Sequence, residues 1–242
     1  MIEHADVILS RILIKTERAK KHLFDVEALA RDSRKGISGF PDPKSKRHRS
    51  EPILVVDIGV VSGAGDVIHN LRSALDHLAW ELAKWETGEP RKPLNCCFPI
   101  GRDFDSYKAA KKGAIAGMSP EATKAIDDLK PYKGPDGNEP LWMIHYLDIV
   151  DKHRHLLVAG YKIVFTGTKL PGTLSPVKEE PAHFLGLFED DFQGEDEHSS
   201  QPTPVELEVA NMKPLVPTLN ELLVFTQDLI KNFKPMLGSR KS

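Results

Sequence analysis

From Asp66 to Thr87 the chain carries no Gly or Pro, and its apolar residues recur at helical spacing. On a wheel of about 100° per residue, Val67, Ile68, Leu71, Ala74, Leu75, Leu78 and Leu82 share one face. The pattern predicts a helix from about Gly65 to Glu86. Gly63-Ala64-Gly65 breaks whatever precedes it, Asp66 suits the positive end of the helix dipole, and Gly88 and Pro90 stop it. The other face holds Asp66, His69, Asn70, Arg72, Ser73, Asp76 and His77. A face that only meets water is usually Lys and Glu with Ala or Gln, whereas Asn, Ser and Asp give up helix propensity. A sequence that makes that sacrifice is building a site or a buried polar network against a neighbouring helix.

A second segment has the same character. Across Trp142 to His155, the residues His145, Asp148, Asp151, Lys152 and His155 gather on one side of a helical wheel, with His153 and Arg154 at its end. Trp142, Met143, Tyr146, Leu147 and Val150 take the other side. If the two helices are neighbours, their polar faces meet at a cleft.

The rest of the chain supplies the frame. Residues 3–32 lack Gly and Pro, and Ile8, Ile12, Leu13, Ala19, Leu23, Val26 and Ala30 mark an amphipathic helix. Pro41 to Pro52 is a polar loop whose Lys44, Lys46, Arg47, His48 and Arg49 either touch phosphate or form a solvated turn. Ile53 to Ile58 is β-branched and apolar, a strand. Two short helices follow, Phe104 to Ala116 and Ser119 to Leu129, the second opened by Ser119 as N-cap and Pro120 at the first helical position. Leu141 to His155 is a helix and Leu156 to Phe165 a strand. Residues 167–204 are rich in Pro, Gly and acid, with a short strand near His183 to Phe188. Val205 to Val209 alternates as a strand does, and Pro214 to Phe233 is a last amphipathic helix. The expected fold is mainly α (α+β), a helical bundle of four long helices with a small β elaboration. It divides into a helical core with a short strand pair over 1–166, a loop-rich excursion over 167–210, and a C-terminal helix over 211–242 that packs on the core.

Composition narrows the function. The formal net charge of −2 gives no overall field toward nucleic acid or membrane, so polyanion binding needs a local patch. Two adjacent cysteines, Cys96 and Cys97, make neither a disulfide framework nor a four-ligand zinc site, and read as small semi-buried residues. No signal peptide and no apolar run of membrane-spanning length is apparent, which points to the cytoplasm and away from the membrane.

Arg72-Ser-Ala-Leu-Asp-His77 is an Arg, four residues, then a His within a helix. This resembles the R-x4–6-H motif of HEPN-type ribonucleases, which are compact helical bundles, many of them toxins or antiviral defence proteins. The longer stretches Gly65 to Leu78 and Leu147 to Arg154 are similar to a bacterial protein group marked by "GD-x-x-HNLRSALDHL" and "LD-x-x-DKHR" segments, to which no activity is assigned. The HEPN resemblance implies a metal-independent endoribonuclease with no cofactor, RNA as its partner, a homodimer that assembles the site, and a regulatory protein partner. His77 is then the acid or base and Arg72 the stabiliser of phosphoryl charge, with Asn70 or Asp76 orienting them and His69 a further residue of the candidate site. The family commonly places a polar residue, often Asn, after the Arg; here that slot holds Ser73, and Asn70 does not fill it. Positions 72 and 77 lie roughly 140° apart on an ideal helix, so the reading needs a second subunit or a helix irregularity.

Two other readings stand beside it. His69, Asp76, His77, His145, Asp148, Asp151 and His153 are all metal-ligand types, although their spacing matches no ligand motif. Alternatively, His69, Asp76, Asp148 and Asp151 pair with Arg72, Lys152 and Arg154 in a network that fixes bundle register in a non-catalytic interaction protein.

Overall fold

The structure is a computed structural model that describes residues 4–33, 53–56, 58–85, 88–90, 93, 96–153, 159–163, 165–167, 174–176, 183–185 and 213–238. Over these residues the chain is mainly helical, with α1 (Ala5–Ser33), α2 (Ile58–Ala83), α3 (Phe104–Ala114), α4 (Pro120–Asp128), α5 (Glu139–His153) and α6 (Leu215–Asn232). The four long and two short helices match the number and order that the apolar periodicity predicts. The basic run Lys44 to Arg49, the strand over Val205 to Val209, and Arg154 and His155 lie outside the described residues.

Helix α2 is the axis of the molecule and packs against α1, α5 and α6. Its apolar face is sealed, with Val67, Ile68, Leu71, Ala74, Leu75 and Leu78 fully buried. Six of the seven apolar positions read on α1 are buried, and Leu13 packs partly buried beside them. Helix α6 closes this layer with Leu215, Leu219, Leu222, Leu223, Leu229 and Ile230. Gln227 donates from α6 to the buried Thr16 hydroxyl of α1 at 3.3 Å. Among the described residues no helix is long and apolar enough to cross a membrane.

One boundary differs from expectation. Helix α2 begins at Ile58, so Gly59, Gly63 and Gly65 are inside it and Asp66 lies in its third turn. Each interior glycine costs roughly 1 kcal/mol relative to Ala. Two of them are explained by what they touch. A Cβ at Gly63 would meet the Val26 side chain of α1 at 2.6 Å, and one at Gly65 would meet Asp151 Oδ1 of α5 at 2.5 Å. The Gly-Ala-Gly run lets two neighbouring helices approach the axis closely, which a helix-breaking interpretation overlooks.

The short helices are set by their caps. Ser119 accepts from the Ala122 amide with Pro120 in the first turn, as the sequence predicts. Asp103 and Ser106 form a capping box at α3. Asn138 accepts from the Leu141 amide and opens α5 at Glu139.

The β portion is a four-stranded antiparallel sheet in the order β1 (Ile53–Val56), β2 (Ala159–Ile163), β5 (His183–Leu185) and β6 (Lys213–Pro214). Ile53 faces Ile163, Tyr161 faces His183, and Leu185 faces Lys213. A separate pair joins β3 (Phe165–Gly167) to β4 (Leu174–Pro176). The larger sheet therefore draws a strand from the 167–210 stretch between strands from the segments on either side of it, and β6 runs directly into α6.

Candidate functional site

Helices α2 and α5 pack together, and the polar residues predicted on each meet between them. The meeting is a ladder. Gly65 receives the Asp151 carboxylate against its backbone. One turn on, His69 Nδ1 lies 3.2 Å from Asp148 Oδ1. A further turn on, the Arg72 guanidinium lies near enough to act electrostatically on His145. The partners step forward on α2 as they step back on α5, so the helices run antiparallel. Spacings of four and three on α2, and of three on α5, keep one stripe of each helix in the seam.

Arg72 is 7% exposed, a correction to its expected place on an open polar face. Its Nη2 donates to the Phe98 carbonyl at 2.9 Å and forms an ion pair with Asp76 Oδ1 at 2.9 Å. The same Asp76 oxygen accepts the Phe98 amide at 2.9 Å. One residue of the 98–101 strip, its own ring wholly buried, thus holds both charged partners through its backbone. Arg72 Nη1 has no such partner: it is the one buried side-chain polar atom among the described residues without a hydrogen bond. Burial pushes the Asp76 carboxyl above its usual range, against the pull of Arg72 and of the Phe98 amide.

Asp148 is the acceptor hub of the next rung. Its side chain is 8% exposed, and it takes His69 on one oxygen and Lys152 Nζ, at 2.7 Å, on the other. The His69 side chain itself is 52% exposed. His145 is half-buried; burial first, then the charges of Arg72 and Lys152, push its pKa down to about 4 against the pull of Asp148, which leaves it neutral at neutral pH. The Trp142 ring sits 5.9 Å from the His145 ring and stacks on Tyr146 at 5.8 Å.

The remaining predicted residues go elsewhere. Asn70 is buried and donates to the Asp66 carbonyl of its own helix, which removes it as an orienting group. His77 is exposed, and no described residue pairs with it. The R-x4-H pair is therefore divided within one chain, Arg72 in the seam and His77 on the outside, as the 140° between them requires. His153 ends α5, and its side chain lies outside the described residues. Among the described residues no three His, Cys, Asp or Glu side chains converge as metal ligands, so the metal reading has no geometry behind it there.

Two contributors have no sequence signal. The Phe98 backbone anchors Arg72 and Asp76 through atoms every residue owns. Cys96 is half-buried and Cys97 exposed, and they lie close enough to feel Asp76. Burial pushes the Cys96 thiol up to about 11, with Cys97 and Asp76 adding to the effect, and burial raises Cys97 as well. Both thiols stay protonated at neutral pH and are poor nucleophiles.

Chemically, the seam offers a buried guanidinium with a spare donor, a neutral imidazole beside it, and an exposed imidazole oriented by a buried carboxylate. Such a set can hold an oxyanion and move a proton near it. Comparison with protein-family models, with curated proteins and with solved structures finds no match for this chain.

Proposed function

We propose that this protein is a HEPN-like, metal-independent endoribonuclease whose site is built on Arg72 in the seam between α2 and α5. The observation that carries the proposal is the unpaired Nη1 of a guanidinium that is otherwise buried and bonded. Leaving such a donor unmet costs roughly 1–3 kcal/mol. A fold that retains it gains when an oxyanion completes the set. Phosphate is the natural occupant, because the planar guanidinium matches two phosphoryl oxygens.

The reaction is transesterification. The RNA 2′-oxygen forms a bond to the adjacent phosphorus as a base takes its proton. The bond from phosphorus to the 5′-oxygen breaks as an acid protonates the leaving oxygen. Arg72 neutralises the charge that grows on the non-bridging oxygens. His77 faces away from Arg72 in its own chain, so in this reading it serves the Arg72 of a second copy in a homodimer. A cytoplasmic toxin or antiviral defence role, restrained by a regulatory protein partner, is the setting we propose.

A different observation favours a non-catalytic reading. Asp148 takes His69 and Lys152 on its two oxygens, and Asp76 takes Arg72 and Phe98 on Oδ1, which is what a register-fixing network between two helices looks like. Cleavage of single-stranded RNA in EDTA separates the two. The enzyme reading expects 2′,3′-cyclic phosphate ends from the wild type and none from Arg72→Lys or His77→Ala. Mixing those two inactive variants restores roughly a quarter of wild-type activity if the site forms across a symmetric dimer. Intact RNA after incubation with folded wild-type protein supports the network reading instead.

A further inference from the structure

We propose that the outer face of α1 is a self-association surface, on which the α1 of a second copy of this chain lies antiparallel. The proposal goes beyond the reading above and does not rest on it. Arg72 and His77 belong to α2, which packs on the buried side of α1 where Gly63 meets Val26.

Helix α1 carries two stripes. Ile8, Ile12, Ala19, Leu23 and Val26 are buried and hold it on the bundle. On the opposite side Val7, Ile14, Lys21 and Ala28 recur every seventh residue, and Ser10, Glu17, Phe24 and Arg31 follow each of them by three. All eight are exposed. Alternating steps of three and four are the spacing of a seam between two helices. The stripe leaves large apolar side chains in water, with Val7 49%, Ile14 57% and Phe24 71% exposed. A helix that only faced solvent has no need of them.

The order of residues along the stripe says what covers it. In an antiparallel pair related by a twofold axis near Ala19, Ile14 meets the partner's Phe24 and Glu17 meets the partner's Lys21, each twice by symmetry. Ser10 meets the partner's Ala28, both small, and Val7 lies along the stem of the partner's Arg31. Sliding one helix by seven residues sets Ile14 on Glu17 or on Arg31 and strands Lys21 on Ser10 or on Phe24. A parallel pair in register sets Glu17 on Glu17 and Lys21 on Lys21. Of these arrangements only the first satisfies the apolar and the charged layers together, which is how polar residues in a seam select register and orientation.

The flanking charges divide. Arg11, which also reaches Glu81 of its own chain at 3.6 Å, comes near the partner's Asp25. Glu27 is held by Arg31 of its own helix at 2.9 Å. Arg18 and Lys20 approach their own counterparts close to the axis and repel. The overlap from Val7 to Arg31 is about 36 Å long. One helix pair of that length is small for a specific interface, so the dimer is expected to be reversible and of micromolar affinity.

The test is sedimentation equilibrium of the full chain across the micromolar range. Wild type is expected to show a monomer–dimer equilibrium. Phe24→Glu, a change at an exposed position, is expected to keep the helix content and melting temperature and to weaken the dimer more than about tenfold. The sharper arm uses Glu17→Lys and Lys21→Glu. Each variant alone is expected to be monomeric, because both copies then bring like charge to the central layers. Mixed in equal amounts, the two are expected to form a one-to-one dimer at least as tight as wild type, because every central layer then opposes unlike charges. A wild type that stays monomeric throughout the range overturns the proposal, as does a dimer unchanged by Phe24→Glu. So does a mixture of the two charge variants that associates no better than either alone. RNA cleavage is no part of the readout, so this pairing and the nuclease reading fail separately.

Discussion

Two polar clusters in this molecule are built from the same kinds of residue and end in opposite states. Between α3 and α4, the Tyr107 hydroxyl and Lys111 Nζ both donate to Asp127, the lysine at 2.7 and 2.6 Å to the two carboxylate oxygens. Burial pushes the Asp127 carboxyl up, but the bonds from Lys111 and Tyr107 outweigh it and hold the group below its usual range. Every donor there has an acceptor, and Asp127 remains 40% exposed. Between α2 and α5 the cation is the buried partner, and one of its amino groups is unmet. The α3–α4 cluster needs nothing more to be stable. The seam is stable and still incomplete. A closed network argues for architecture, whereas an open one inside an otherwise paired interior points to a ligand.

The contrast can be broken most forcefully at Arg72. Arg72→Ala removes the partner of Asp76 and of the Phe98 carbonyl, and is expected to cost about 3 kcal/mol in urea unfolding. Asp127→Asn, in the closed but more exposed cluster, is expected to cost about 1 kcal/mol or less. Equal losses would erase the distinction drawn between the two sites.

Acid sharpens it next. His145 has a folded pKa of about 4 against 6.5 for the free side chain. Between those values the unfolded chain binds the extra proton, so stability is full above the higher value and falls as pH drops toward the lower one. The loss amounts to about 3–4 kcal/mol at most. Asp76 opposes it at the acid end, because its raised pKa makes folding favour its proton there. His145→Gln is expected to flatten the slope in pH-dependent urea melts, and an unaltered slope would contradict the neutral state assigned to His145.

The smallest of the three expected effects is steric. Gly65→Ala places a methyl group within 2.5 Å of the Asp151 carboxylate. The better helix propensity of Ala returns roughly 1 kcal/mol, while crowding of the seam costs roughly 1–3 kcal/mol. The net change is a loss of about 1 kcal/mol, read as a lower melting temperature. A stabilised variant would mean that Asp151 yields freely and the ladder's first rung is loose.

Much of this was legible in the sequence because it is periodic. The apolar stripes of α1, α2 and α6 and the Ser119-Pro120 start of α4 follow from spacing and capping rules that act within a few residues. The polar stripes of α2 and α5 were legible as well, including that they would meet if the helices were neighbours. What periodicity could not give was depth. A wheel puts Arg72 and His77 on one polar side, but only the packing of α5 and of the Phe98 strip decides that Arg72 is sealed while His77 faces outward. Nor could it separate a helix-breaking Gly63-Ala64-Gly65 from a packing one, since that depends on Val26 and Asp151, both distant in sequence. The Phe98 anchor was illegible for a different reason: it works through backbone atoms.

The claim that matters most is that Arg72 Nη1 waits for a phosphate oxygen, and a crystal structure of the protein with an uncleavable 2′-O-methyl RNA tests it directly. The account predicts a phosphate oxygen within hydrogen-bond distance of Arg72 Nη1. A seam closed over an ordered water on Nη1, with the RNA bound elsewhere or absent, would contradict it.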